Sequence, residues 1–298
     1  HVGPRCGTAT VARTAGRDLT CTSVFRGCPA RWQIQASEVV SVTVDPQQTA
    51  ALLDAAHRDR RTLEAADVEV GDLASAYAVQ RALTSIRLAR GDSVIGWKLG
   101  YTTAAMREQM GIDAPNYGPL LASMRIDEVL PATLTQPRVE PEIALVLERD
   151  PGTGADADRV LACCARARLA LEVVDSAWTA YRFDLEHNTA DGSSAAGVVL
   201  GEDLPLAAGT VAVVLQLDSQ PAAGPRTRVE ERGLGSMVDA ARGVAWLADQ
   251  LAELGLALQP GDVVLTGGLT KAVPVGPGDV VGVRATGTGM SSSVGVRG

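Results

Sequence analysis

The sequence predicts an α+β protein in which a mixed, coiled β-sheet core follows a helical N-terminal portion. Three observations lead there. Segments with helical spacing cluster between residues 46 and 110, whereas Val-rich runs dominate from residue 138 onward. The string Pro-Gly-Asp-Val-Val occurs twice, at 260–264 and 277–281, and each copy is a turn feeding a β-branched strand. Helices and strands do not alternate strictly, which disfavours a doubly wound parallel sheet. Residues 41–120 are expected to form the helical portion, and residues 121–298 a β-rich domain.

Residues 1–40 stand apart. Arg5, Arg13, Arg17, Arg26 and Arg31 are set against only Asp18 and Glu38, with Cys6, Cys21 and Cys28 among them and no visible period. This stretch is expected to be a disordered or non-native extension, with initiation near Val40. From Asp45 the pattern is regular: Asp45 caps a helix that opens on Pro46 and runs to His57. A second helix spans Ala74 to Arg90, with Tyr77, Leu83 and Ile86 at helical spacing. A short strand, Asp92 to Leu99, and a helix, Thr103 to Met110, follow. Beyond these, Arg138 to Leu147 reads as a strand, Asp158 to Arg168 as a helix, and Ala170 to Val174, Gly197 to Gly201 and Thr210 to Leu215 as strands. Met237 to Leu254 is an amphipathic helix containing Trp246, Leu247 and Leu251. Gly267 and Gly268 mark a place where backbone can approach a neighbour closely.

Bulk properties exclude several function classes. A net charge of −8 over 298 residues argues against nucleic acid or an anionic membrane surface as partner. No apolar run approaches the ~18 residues of a bilayer span, so a cytoplasmic location is expected. The five cysteines lack zinc-type spacing, and Cys163-Cys164 are adjacent in a helical-looking segment, which fits unspecialised thiols in a reducing compartment. His1, His57 and His187 are too few for a histidine-based metal site.

The most informative string is Arg138-Val139-Glu140-Pro141-Glu142-Ile143-Ala144-Leu145-Val146-Leu147. Alternate strand residues share a face, so Glu140 and Glu142 point the same way while Val139, Ile143, Leu145 and Leu147 fill the other. Paired carboxylates at the end of an apolar strand repel and are costly to desolvate, and a hard divalent cation is the simplest group to settle them. On spacing alone, two ordinary surface acids at a strand end are an equal alternative.

Six strings carry a family resemblance: Gly96-Trp97-Lys98-Leu99-Gly100-Tyr101-Thr102-Thr103, Gly111-Ile112-Asp113-Ala114-Pro115-Asn116-Tyr117-Gly118, Gln136 to Glu142, Leu171-Glu172-Val173-Val174-Asp175-Ser176, Thr189-Ala190-Asp191-Gly192-Ser193-Ser194 and Leu265-Thr266-Gly267-Gly268. In order and spacing they resemble the 2-keto-4-pentenoate hydratase and 4-oxalocrotonate decarboxylase family of the fumarylacetoacetate hydrolase superfamily, across roughly residues 47 to 290. The resemblance implies the β-roll core of that superfamily and a Mg²⁺ or Mn²⁺ held by Glu140, Glu142 and Glu172. It also implies a catalytic Lys98, acting as acid/base or enolate-stabilising cation, and a loop in which Asp191 and Ser194 shape the pocket floor and bond the substrate. A partly buried lysine beside a metal is expected to have a lowered pKa. Without the resemblance, Lys98 reads as a surface lysine and Asp191 as part of an Asp-Gly turn. Arg138 is open between a substrate carboxylate and the surroundings of Glu140, and Asp175 between support for Glu172 and a turn.

The activity implied is decarboxylation of 2-oxohex-3-enedioate to 2-hydroxypenta-2,4-dienoate in meta-cleavage aromatic catabolism, with hydration of that dienoate as the alternative. Tyr181-Arg182-Phe183-Asp184-Leu185, the run Thr266 to Val275 and the non-ionisable Asn116 lean toward the decarboxylase. Gly197, where decarboxylases carry an arginine, leans the other way, with Arg182 or Lys271 as the candidate substitutes. A non-catalytic partner subunit is a third reading. A C–C bond hydrolase is a fourth, and it would call on His187 as base. The resemblance further implies a homo-oligomer, alone or complexed with a paralogous hydratase or decarboxylase.

Overall fold

In the computed structural model the described residues are 44–102, 107–108, 111–112, 114–219, 227–286 and 292–297. The expectations for residues 1–40, and most of the helix expected at Thr103 to Met110, lie outside them. Helix α1 (Pro46–Arg58) starts as its sequence dictates, with the Asp45 carboxylate accepting from the Gln47 and Gln48 N–H groups. Helix α2 (Leu73–Ala89) is capped by Asp72 in the same manner. Leu53, Val79, Leu83, Trp178 and Ala190 close a small apolar cluster between these helices and the 177–190 segment.

Eleven strands follow among the described residues: β1 (Val94–Gly100), β2 (Asn116–Leu121), β3 (Arg138–Leu147), β4 (Cys164–Val174), β5 (Ala195–Leu204), β6 (Thr210–Ser219), β7 (Thr227–Ser236), β8 (Val263–Leu265), β9 (Val273–Pro274), β10 (Asp279–Thr286) and β11 (Ser292–Arg297). They form a seven-stranded mixed sheet in the order β2-β1-β8-β3-β4-β5, with β9 on β3, and a four-stranded sheet in the order β11-β10-β6-β7. Further α-helices among the described residues are α3 (Ala157–Ala162), α4 (Leu185–Ala190) and α5 (Met237–Glu253). One core joins both sheets to α5: Val139, Ile143, Leu145 and Leu147 of β3 cluster with Val213, Leu215, Val283, Val244 and Leu247. The expected division at residue 120 follows no break in the sheet, because β1 pairs with both β2 and β8.

Two expectations need correction. The helix expected at Asp158 to Arg168 stops at Ala162, and Cys164 already begins β4. Period two wins over this stretch because Ala167 and Leu169 are fully buried while Arg166 is exposed and Arg168 only half-buried. Cys163 and Cys164 therefore straddle a helix end and a strand start as buried free thiols, and burial pushes the Cys164 thiol up to about 12. Strand β7 was not expected at all. It is the edge of its sheet and mostly exposed, so it carries no hydrophobic period.

Candidate metal centre and active site

Strand register brings three carboxylates together. Glu140 and Glu142 lie two apart on β3, and Glu172 on β4 pairs directly with Glu140 across the antiparallel ladder. The opposite parity of β3 is committed to the core, so these acids have one face available. Glu142 is fully buried and Glu172 nearly so, whereas Glu140 is half-buried.

The surrounding backbone is shaped to them. The Gly267 N–H donates to Glu142 Oε2 at 2.8 Å, and a Cβ on Gly268 would overlap the Glu140 carboxylate. Gly267 has φ +113°, a conformation only glycine adopts without strain. On the other side of the sheet edge, the Asp175 oxygens accept from the Thr135 and Gln136 N–H groups at 2.8 and 2.7 Å and so hold the lead-in to β3. Asp175 thus steadies the strand that bears Glu140 rather than Glu172 itself. Gly96 and Gly100, on either side of Lys98, leave room for protein: a Cβ at 96 would strike the Val263 backbone, and one at 100 the Asn116 side chain.

Electrostatically the cluster is unbalanced. Burial is the largest cause that raises each carboxyl, aided for Glu140 and Glu142 by neighbouring carboxylates: Glu140 is pushed up to about 7, Glu142 well above its usual range, and Glu172 upward. Lys98 is 5% exposed, with Nζ 3.3 Å from Glu172 Oε1, and it donates to the Ser193 carbonyl at 3.0 Å and to Ser193 Oγ at 3.3 Å. Burial pushes its ammonium down, but Glu172, Glu140 and Glu142 outweigh that, so its pKa stands above the ordinary lysine value. The expected lowering is therefore reversed, because three neighbouring acids hold the ammonium in its charged form. Glu142 Oε1 is buried without a hydrogen-bond partner, and Glu172 Oε1 has only its ion pair with Lys98. Among the described residues no three His, Cys, Asp or Glu side chains are drawn close enough to hold a metal as they stand. The unpartnered Glu142 oxygen and the all-carboxylate donor set fit a hard dication.

Behind Lys98 lies a closed polar network. Asn116, fully buried, donates to Asn188 Oδ1 at 2.9 Å and Thr189 Oγ1 at 3.0 Å, and accepts from Ser193 Oγ at 2.9 Å. Asn188 donates to Ser194 Oγ at 2.9 Å. Ser193 and Ser194 have φ +57° and +56°, strained conformations held by these bonds. Ser194 lines the cavity; Asp191 does not. Its Oδ1 bonds His57 Nε2 at 2.6 Å and its Oδ2 accepts from the Ala177 N–H at 2.7 Å, so it ties α1 to the serine loop. Ser193 and Asn188, which also line the cavity, were missed; their signal lay in the small polar run 188–194, which fixes no partner by itself.

The cavity measures about 980 Å³ and is walled by Lys98, Glu140, Glu172, Ser193 and Ser194 at one end and by α5 and residues 266–272 elsewhere. Arg138 lines it with its guanidinium 3.9 Å over the Tyr181 ring. Arg182 does not line it and pairs instead with Glu64 at 3.2 Å. Gly197 is embedded in the core against Ile126 and Val173, where an arginine would have to displace both. His187 has both ring nitrogens engaged, with Asp184 at 2.5 Å and the Val68 carbonyl at 2.9 Å, and is absent from the cavity wall.

The profile described as fumarylacetoacetate (FAA) hydrolase C-terminal matches residues 117–294. The 2-keto-4-pentenoate hydratase of Burkholderia vietnamiensis (strain G4 / LMG 22486) is 40% identical over 239 residues, 73% of this chain and 81% of that protein. The 4-oxalocrotonate decarboxylase of Pseudomonas sp. (strain CF600) is 34% identical over 224 residues, 72% of this chain and 82% of that one. A solved structure, 4-oxalocrotonate decarboxylase from Pseudomonas putida G7 complexed with magnesium and adipate, superposes with a TM-score of 0.74 at 29% identity, covering 86% of this chain and 98% of that chain.

Proposed function

Because this chain belongs to the fumarylacetoacetate hydrolase family, with hydratases and decarboxylases among its relatives, we propose that it is a divalent-metal-dependent lyase acting on a small 2-oxo acid. The favoured reaction is decarboxylation of 2-oxohex-3-enedioate. The observation that carries this reading is the convergence of Glu140, Glu142 and Glu172 on two paired strands, with one Glu142 oxygen unpartnered, beside a cavity that Glu140 and Glu172 line together with basic side chains.

Glu140, Glu142 and Glu172 would hold Mg²⁺ or Mn²⁺. When bound, that ion supplies Lewis-acid stabilisation of negative charge developing on the 2-oxo oxygen. The bond from C5 to the departing carboxylate breaks, its electron pair forms the C4–C5 double bond, the C3–C4 double bond shifts to C2–C3, and the oxygen on C2 gains a proton. Lys98 carries a proton at Nζ next to Glu172 and is the group placed to deliver it, oriented by Ser193. Ser194 borders the substrate space, and Asp191 acts through the loop that holds both serines. Loop and lysine are cross-tied by Asn116, a neutral amide whose hydrogen-bonding groups are all engaged.

Hydration of 2-hydroxypenta-2,4-dienoate is the second reading, favoured by the 40% identity to a hydratase and by the glycine at 197. The hydrolase reading loses its base, since His187 is bound elsewhere. The enzyme is further proposed to work in the cytoplasm as a homo-oligomer or with a paralogous lyase. No helix among the described residues is long and apolar enough to cross a membrane, and Leu234, 70% exposed at the cavity wall, is suited to cover by another subunit. An ultraviolet assay with Mg²⁺ tests the reading. CO₂ release from 2-oxohex-3-enedioate, lost in Glu142→Gln, supports the decarboxylase; consumption of the dienoate alone supports the hydratase; activity on neither overturns both.

A further inference from the structure

Beyond Gly100, where β1 ends, the chain turns through Tyr101 at φ +56°, in the left-handed region that a side chain rarely adopts. The turn is held from outside. The Arg107 guanidinium donates to the Tyr101 carbonyl at 2.8 Å and to the Thr102 carbonyl at 3.2 Å, and Thr102 packs so closely on Gly267 that a Cβ there would overlap its Oγ1. Glycine or asparagine would take this conformation with less strain, so the tyrosine stands against the preference of its own backbone. Strain of this kind collects at functional sites.

Tyr101 lines the cavity three residues after Lys98. Its hydroxyl has no hydrogen bond among the described residues. Other hydroxyls of the wall give their protons to the protein: Thr266 to the Ile143 carbonyl at 2.9 Å, Ser193 to Asn116 Oδ1 at 2.9 Å and Thr270 to the Lys271 carbonyl at 3.0 Å. Burial pushes the Tyr101 phenol up and the charge of Glu140 adds to it, so the group keeps its proton at neutral pH. Tyr101 is therefore a neutral donor left over at the end of the cavity that Lys98 and Glu140 share. A ligand oxygen that meets Lys98 there has this second donor beside it.

We propose that Tyr101 is a further catalytic residue, its hydroxyl donating a hydrogen bond to the oxygen on C2 of the bound 2-oxo acid as that oxygen becomes anionic. The proposal deepens the 2-oxo acid reading above and rests on it. The phenol transfers no proton, which remains the part of Lys98. It stabilises charge that the ground-state ketone does not carry, and an interaction of that kind raises turnover rather than affinity for substrate.

The test is calorimetric binding of two probes to the Mg²⁺-loaded full chain: oxalate, a planar dianion shaped like the enolate, and 2-oxobutanoate, which presents the neutral ketone. Tyr101→Phe keeps the ring and the backbone strain and removes only the hydroxyl. It is expected to weaken oxalate by about tenfold or more, as loss of a hydrogen bond to a charged group does, and 2-oxobutanoate by no more than about threefold. Its Mn²⁺ affinity and circular dichroism should match wild type. Unchanged oxalate affinity in Tyr101→Phe would overturn the contact. Equal losses for the two probes would show a ground-state contact and overturn the catalytic role, and a loss of Mn²⁺ affinity would show a structural role and overturn it as well. Failure of wild type to bind either probe would instead overturn the underlying 2-oxo acid reading.

Discussion

Glu142 shows what single residues contribute here, because one carboxylate serves the site and works against the fold. It is fully buried, one of its oxygens has no partner, and burial with two neighbouring acids raises its pKa well above normal. Glu142→Gln should therefore raise the melting temperature of the metal-free protein while lowering turnover by about a hundredfold or more. Calorimetry and the ultraviolet assay on one preparation check both halves. The pH dependence follows with a definite sign. A carboxyl raised in the folded state binds protons that the unfolded chain has already released, so stability falls as pH rises from the unfolded value toward the folded one. For Glu140 that window runs from the ordinary carboxyl value of 4.5 to about 7. Metal-free protein should melt lower at pH 7.5 than at pH 5.5 on account of these acids, and Glu140→Gln should shrink the difference. Lys98→Met removes the cation facing Glu172, and it is expected to lower kcat by about 10²-fold or more if the lysine moves the proton.

Among the elements, the strands around β3 position the chemistry, and close backbone packing is what holds them. Gly96 has φ +152° and sits where β1 meets β8, so Gly96→Ala should push Val263 away and destabilise the protein by about 2 kcal/mol or more, read in a denaturant titration. Much of this level was legible in the sequence. The parity of β3, the Asp45-Pro46 helix start and the place of the glycine pair all depend on local alternation or capping, which a single segment displays. Other features were not legible because their causes are distant in the chain. The facing of Glu140 and Glu172 is a register between strands, β7 is a polar edge, and Asp191 turned toward His57 rather than the cavity because α1 packs behind its loop. His57→Ala should therefore act as a loop lesion, lowering kcat without abolishing metal binding; loss of both would show a wider collapse.

At the scale of the whole molecule, two sheets and α5 enclose one core, and the seven-stranded sheet alone supplies all three acids and the lysine. The fold thus bears a cluster that favours it only when a cation is present, and occupied protein should be the more stable form. At a hundredfold excess over Kd, one bound ion adds about 2.7 kcal/mol. The most direct test is isothermal titration of Mn²⁺ into chelator-treated wild type, Glu142→Gln and Glu172→Gln, with circular dichroism confirming that each is folded. One ion per chain in wild type, and affinity lost in both folded variants, is the result the three-carboxylate centre predicts; unchanged affinity in both would contradict it.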